Sequence, residues 1–196
     1  MSAVLTPPPM PPAAPSKRMT LQEFSDRHGG DSVELIDGHV VELPMPQFPH
    51  GKVCIRAGHL LLLHVDQFDR GHVCGNDTFV KVPMPDDPTR VRGADVCYFS
   101  YSRVPKGAMP DGLLDVTPEL VIEVRSPSDT WNEVHEKTEE YLANGVLVVV
   151  VPDIVSRTAS VYRNPVPNQT ILTDADTLTV PDVLPGWSVP VVSFFA

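Results

Sequence analysis

Residues 120–125 constrain the fold more than any other segment, because four apolar residues here surround a single acid, Glu123. The β-branched and other apolar side chains favour a buried strand. An ionised carboxylate inside such a strand is costly unless a cation or hydrogen bonds offset its charge. Asp95 heads a second apolar stretch, residues 94–99. Two acids on two core strands indicate a site that holds a divalent metal ion.

The rest of the pattern alternates helices with strands. A capping box at Thr20 predicts a short helix, and an Asp-Gly pair between residues 33–36 and 39–43 is typical of a β-hairpin. Apolar steps of three and four predict helices over residues 50–68 and 132–144. Further strands are expected at residues 78–82, 94–99, 146–151, 157–162, 170–172 and 178–180. This order predicts an α/β fold, more strictly mixed α+β, in which helices flank a mixed sheet.

Composition bounds the domain organisation. Residues 1–18 are rich in proline and alanine, so we expect a disordered tail there, followed by a single domain over residues 19–196. The longest apolar run, residues 146–151, is far too short to span a membrane, and no secretory signal is recognisable. Three widely separated cysteines predict reduced, buried thiols in a cytoplasmic protein and no zinc site.

The charge is negative overall and uneven along the chain. A formal net charge of −10 argues against a protein that coats nucleic acid through bulk electrostatics. Residues 81–106 nevertheless carry five Lys and Arg residues against three Asp residues, one of which is Asp95. This local excess predicts either a strip that contacts phosphates or an ordinary solvated loop, and the sequence leaves both open.

A hard cation such as Mg²⁺ takes oxygen ligands, usually one or two carboxylates with water and a substrate phosphate. Asp95 and Glu123 could supply the carboxylates, and the main-chain carbonyl of Val124 could supply a further oxygen. Arg125 follows Glu123 by two residues and should point to the same face of the strand. Lys137 falls on the core-facing stripe of its helix together with Tyr141, which favours a functional cation there.

Three of these residues have alternative interpretations. Lys137 could pair with Glu133 or Glu140 at helical spacing. Glu34 could be a third acid at the site, or alternation within its strand could place it in solvent. His50 heads the first long helix and could reach the cleft or a phosphate, or it could be structural.

The landmarks taken in order match a known family. They are residues 34–38, 94–96, 118–128, 145–146 and 184–189, together with His50, Lys137 and Tyr141. On these residues the chain resembles the Uma-two-type restriction endonuclease family, a branch of the PD-(D/E)xK nuclease-like fold. The resemblance implies a restriction-endonuclease-like mixed sheet flanked by helices, with an N-terminal helix and a β-hairpin. It also implies that Asp95 and Glu123 hold Mg²⁺ or Mn²⁺ and that the protein hydrolyses phosphodiester bonds of DNA. Nucleases of this fold often pair as homodimers to cut two strands, and the sequence leaves the oligomeric state open.

One departure from the family pattern concerns the cation. The lysine expected two residues after the central acid is Arg125 here, and arginine cannot serve as a general base. The resemblance therefore implies that Lys137 takes the cationic role from the helix. The leading hypothesis is a metal-dependent DNA endonuclease with Asp95, Glu123, Arg125 and Lys137 as catalytic residues. The alternatives are a nuclease-like scaffold that has become a binding protein and a hydrolase of a small phosphorylated molecule.

Overall fold

The computed structural model describes residues 18–164 and 168–196, so the tail predicted at residues 1–18 lies outside the described residues except for Arg18. In chain order the elements are α1 (Leu21–His28), β1 (Val33–Ile36), β2 (His39–Glu42), α2 (Phe48–Phe68), β3 (Gly71–Lys81), β4 (Val91–Ser100), β5 (Leu120–Ile122), α3 (Trp131–Ala143), β6 (Val148–Asp153), β7 (Thr158–Arg163), β8 (Asn168–Leu172), β9 (Thr177–Thr179), β10 (Ser188–Pro190) and a 3-10 helix (Val191–Phe194). None of the helices in the described part of the chain combines the length and apolar character that crossing a membrane requires.

The described strands make one large sheet and one small sheet. The large sheet has the order β2-β1-β4-β5-β6-β7-β8, and β3 pairs with β4 beside this path. β5 and β6 run parallel and are connected through α3, while the other neighbours in the large sheet are antiparallel. β9 and β10 form a separate antiparallel pair. The predicted mixed α+β fold, with an N-terminal helix and a β-hairpin, is therefore confirmed.

Local chemistry explains several of these elements. α1 and α3 each begin with a complete capping box, made by Thr20 with Glu23 and by Thr130 with Glu133. Asp37 and Gly38 join β1 to β2 with φ angles of 51° and 71°, and a two-residue hairpin turn of this kind needs such positive angles.

The two long helices cover opposite faces of the sheet. α2 packs on a cluster that contains Leu120 and Ile122, whereas α3 packs on a cluster that contains Val121. Because side chains alternate along a strand, Glu123 continues the row of Val121 and faces α3. The sheet thus places Glu123 against the helix that carries Lys137.

Element boundaries differ from the predicted ones for identifiable reasons. The central strand ends at Ile122, not at Arg125, because the Val124 N–H donates to the carboxylate of Asp95 and not to the backbone of β4. The Arg125 backbone makes only an isolated bridge to Asp153. β3 begins at Gly71, seven residues before its predicted start at residue 78. The strand predicted at 178–180 belongs to the small sheet, whose partner strand was not predicted.

Candidate functional site

A cleft of about 1300 Å³ opens between the start of α2, the strands β3 and β4, the segment after β5, and α3. Seven of the predicted site residues line it: Glu34, His50, Asp95, Glu123, Val124, Arg125 and Lys137. Tyr141 lies fully buried beside it and donates its hydroxyl to Glu123. The fold therefore brings together residues that are separated by up to about a hundred positions in the sequence.

Asp95 lies on β4 opposite an irregularity in β3. The register between the two strands shifts between Gly75 and Thr78, and the intervening Asn76 and Asp77 have positive φ angles of 62° and 56°. A bulge of this kind redirects the side chains around it and is common beside functional sites. The Asp95 carboxylate accepts a 2.7 Å hydrogen bond from the Val124 N–H, which fixes its orientation toward the cleft.

Glu123 follows the end of β5 and is held by α3. One carboxylate oxygen accepts a 2.7 Å hydrogen bond from the Tyr141 hydroxyl, and the other lies 3.8 Å from Lys137 Nζ. Burial raises the pKa of Glu123 to about 8, and the nearby Asp95 carboxylate adds to this effect, while Lys137 opposes it. A cation between the two acids would favour the ionised form of both.

Lys137 connects the acids of the site. Its ammonium group lies 2.8 Å from Glu34 and is thereby removed from the pairing with Glu133 or Glu140 that its helical spacing allowed. Burial alone would lower the pKa of Lys137, but Glu123 and Glu34 outweigh burial and raise it. Lys137 is therefore protonated at neutral pH and acts as a fixed positive charge.

Glu34 is 2 % exposed, so the alternative that placed it in solvent is wrong. Besides Lys137, it accepts hydrogen bonds from Arg92 Nη1 at 2.8 Å and from the Gly93 N–H at 3.3 Å. Burial alone would raise the pKa of Glu34, but Lys137 and Arg92 together lower it. Glu34 therefore serves as the anion that holds Lys137 beside Glu123.

A second layer of buried charge supports Glu34. Arg92 makes two hydrogen bonds with Glu140, of 2.6 and 2.9 Å, while Arg90 pairs with Glu140 and with Asp87. Neither Arg92 nor Glu140 was predicted to support the site. Both are charged residues at positions that the strand and helix patterns predict to be buried, and this was the only feature of the sequence that could have indicated their role.

The five cations of residues 81–106 all lie in ion pairs. Each of the five has a carboxylate partner among the described residues: Lys81 with Asp115, Arg90 with Asp87 and Glu140, Arg92 with Glu34 and Glu140, Arg103 with Glu119, and Lys106 with Asp69. Carboxylates elsewhere in the fold therefore pair with the excess positive charge of this segment.

Arg125 lines the cleft, but its charge is already balanced. Its guanidinium lies 3.1 Å from Asp153, donates to the Asp129 carbonyl at 3.0 Å and stacks 4.7 Å from the Trp131 ring centroid. Among the described residues, the cation that pairs with Glu123 is therefore Lys137 and not Arg125.

α2 contributes two further groups to the cleft. The two imidazole nitrogens of His50 lie 3.4 Å from Asp95 Oδ2 and 3.4 Å from Cys54 Sγ. The hydrogen bond to Asp95 raises the pKa of His50. Of the three cysteines, Cys97 is buried as predicted, whereas Cys54 and Cys74 are only half-buried. Sequence reasoning passed over Cys54, although its four-residue spacing from His50 placed both on one helix face.

The profile of the Uma2 family, described as "Putative restriction endonuclease", matches residues 19–192. The chain belongs to the Uma2 family. Among solved structures, this Uma2 protein is similar to a "putative nuclease belonging to DUF820" from Anabaena variabilis ATCC 29413, with a TM-score of 0.75 and 20 % identity. The similarity covers 90 % of this chain and 97 % of the other, and it shows a shared fold. No curated protein matches the chain.

Proposed function

We propose that this Uma2-family protein is a metal-dependent DNA endonuclease that hydrolyses phosphodiester bonds. The observation that carries the proposal is the convergence of Asp95 and Glu123 in one cleft with a protonated lysine, Lys137, 3.8 Å from Glu123. Two acids and a cation in an open cleft suit the hydrolysis of a phosphodiester, which needs a bound metal and charge stabilisation at the phosphate. The family description supports the same class of reaction.

The donor set of the cleft fits a hard divalent ion. Asp95, Glu123 and the main-chain carbonyl of Val124 offer oxygen ligands only, as Mg²⁺ and Mn²⁺ prefer. Burial, together with the nearby Asp95 carboxylate, raises the pKa of Glu123, and a dication bound beside it would favour the ionised form. When bound there, the metal would lower the pKa of a water molecule and polarise the phosphate.

The residues of the chain have distinct roles in this proposal. Lys137 holds a positive charge where negative charge develops on the phosphate, and Glu34 keeps its ammonium group in place. Tyr141 orients the Glu123 carboxylate by hydrogen bonding. His50, at the start of α2, places its Nε2 3.4 Å from the Asp95 carboxylate. Arg125 contributes to the wall, because Asp153 already neutralises its charge.

The cleavage assay uses supercoiled plasmid with Mg²⁺ or Mn²⁺. We expect nicking or linearisation by the wild type, none with EDTA, and rates at least about 100-fold lower for Asp95→Asn and Glu123→Gln. Glu139→Gln, which removes an exposed carboxylate from α3, is the control and should cleave normally. Full cleavage by folded Asp95→Asn and Glu123→Gln proteins would overturn the proposal.

A binding scaffold without catalysis is the second candidate, and the neutralised Arg125 together with the net charge of −10 favours it. Calorimetry separates the two functions, because a scaffold would bind neither Mg²⁺ nor Mn²⁺ in a manner that depends on Glu123. Turnover of nucleotides without any cleavage of plasmid would instead indicate a hydrolase of small phosphorylated molecules. We further propose that the protein acts in the cytoplasm on duplex DNA, where a homodimer would present one active site to each strand.

A further inference from the structure

The first turns of α2 place two metal-binding side chains beside Asp95. His50 and Cys54 are four residues apart and therefore share a helix face. The imidazole lies between the other two groups, with Nδ1 3.4 Å from Cys54 Sγ and Nε2 3.4 Å from Asp95 Oδ2. One donor atom from each of the three residues lies within 4.8 Å of the other two. All three side chains line the open cleft.

This set of one sulfur, one nitrogen and one oxygen selects a different class of ion from the carboxylate pair. Mg²⁺ takes oxygen ligands, whereas imidazole and thiolate suit borderline transition metals. Around a tetrahedral Zn²⁺ ion, neighbouring donor atoms lie roughly 3.3–3.6 Å apart. Each ring nitrogen of His50 makes one contact of that size, Nδ1 with Cys54 and Nε2 with Asp95. Because a single ring nitrogen would bind the ion, rotation of the His50 or Cys54 side chain must shorten the other two donor–donor distances, which are at most 4.8 Å.

The surroundings favour an open metal site of three protein ligands. The Val124 N–H fixes the Asp95 carboxylate with a 2.7 Å hydrogen bond, and metal ligands are commonly oriented by such outer contacts. The cleft leaves a fourth position for water or a ligand, as in zinc sites that keep one coordination place open.

A thiol, an imidazole and a carboxylate in line are also the parts of a nucleophilic triad. A nucleophilic thiol needs a lowered pKa, whereas burial together with Asp95 raises the pKa of Cys54. The surroundings of Cys54 therefore do not favour the free thiolate that a nucleophilic triad needs.

We propose that His50, Cys54 and Asp95 form a binding site for a borderline transition-metal dication, of the class of Zn²⁺ and Co²⁺, which shares Asp95 with the carboxylate pair. On binding, the Cys54 thiol gives its proton to the buffer and its sulfur forms a bond to the ion. This site stands independently of the proposed nuclease activity, since it needs neither DNA nor Glu123.

The test uses Co²⁺ as the probe, because Co²⁺ bound to a thiolate produces a charge-transfer absorption band in the near ultraviolet. Titration of the metal-free wild-type chain should produce this band with one equivalent of Co²⁺. Addition of Zn²⁺ should abolish the band, and an equimolar amount of Mg²⁺ should leave it unchanged. The absence of any band from folded wild-type protein would overturn the proposal.

Matched variants assign the band to its residues. Cys54→Ser should lose it, while Cys74→Ser, which removes the other cysteine that lines the cleft, should retain it. His50→Gln should weaken Co²⁺ binding at least about tenfold, since even the outer partners of metal ligands contribute that much. Glu123→Gln should keep the band although it loses DNA cleavage, so the two proposals can fail separately. A band that survives in folded Cys54→Ser would refute the site, as would one that disappears in folded Cys74→Ser.

Discussion

Replacing Glu123 by glutamine should stabilise the metal-free protein at neutral pH and remove much of its pH dependence. Glutamine keeps the size of the side chain and can still accept the Tyr141 hydrogen bond, but it carries no charge to desolvate. In the wild type, burial and Asp95 raise the pKa of Glu123 from 4.5 to about 8. The same substitution removes a ligand of the proposed metal site, so stability and function should change in opposite directions.

The sign and size of the effect follow from linkage between protonation and folding. Between pH 4.5 and about 8 the folded chain keeps a proton on Glu123 that the unfolded chain has lost. Glu123 therefore contributes fully to stability below pH 4.5, and this contribution is lost as the pH rises toward about 8. The loss reaches at most about 1.4 kcal/mol per pH unit.

Urea unfolding in EDTA, followed by tryptophan fluorescence, measures this difference. Between about pH 5.5 and about pH 7.5, the free energy of unfolding of the wild type should fall relative to that of Glu123→Gln by up to about 3 kcal/mol. Glu139→Gln should follow the wild type, and saturating Mg²⁺ should restore wild-type stability at the higher pH. Parallel pH profiles of the wild type and Glu123→Gln would show that ionisation of Glu123 does not destabilise the folded chain.

Four further perturbations test other parts of the account. Lys137→Met should slow plasmid cleavage by about 100-fold or more. It should also lower the free energy of unfolding by about 3–5 kcal/mol, because it leaves buried carboxylates without their cation. Normal cleavage by this variant would contradict the catalytic role of Lys137. Glu140→Gln should cost a similar 3–5 kcal/mol in thermal or urea unfolding, since two buried arginines lose their shared anion. Gly71→Ala should lower the free energy of unfolding by about 1–3 kcal/mol, because its Cβ would lie 2.2 Å from a backbone oxygen. Gly58→Ala should raise it by about 0.5–1 kcal/mol, because this helical position has open space for a Cβ. Zn²⁺ should inhibit Mg²⁺-dependent cleavage, and Cys54→Ser should relieve that inhibition; equal inhibition of both proteins would separate the two metal sites.

The parts of the fold that the sequence predicted correctly depend on local chemistry. The capping box at Thr20 and the Asp37-Gly38 turn act over a few residues, so they can be recognised without the rest of the chain. The central strand was recognisable because its apolar residues must be buried on both faces. Its end was not, because the Asp95 side chain from another strand takes the hydrogen bond that would have continued the ladder.

The partners within the charged network of the site could not be predicted from the sequence. Glu34 could be suspected of joining the site, but its burial depends on Arg92, which is 58 positions away, and on Lys137. Arg92 is held in turn by Glu140, 48 positions further along the chain. Such pairs are fixed by the packing of α3 on the sheet, and no spacing in the sequence encodes them. The spacing of Cys54 from His50 was visible, but only the fold adds Asp95.

The most direct test of the central claim is the position of Mn²⁺ in crystals of the wild-type protein, located by anomalous diffraction. We expect a peak bounded by the carboxylates of Asp95 and Glu123 and the main-chain carbonyl of Val124, at metal–oxygen distances of roughly 2.0–2.3 Å. The peak should be absent from isomorphous crystals of Glu123→Gln. A peak that survives this substitution, or a well-ordered cleft without any peak at saturating Mn²⁺, would contradict the assignment of the carboxylate pair as the metal site.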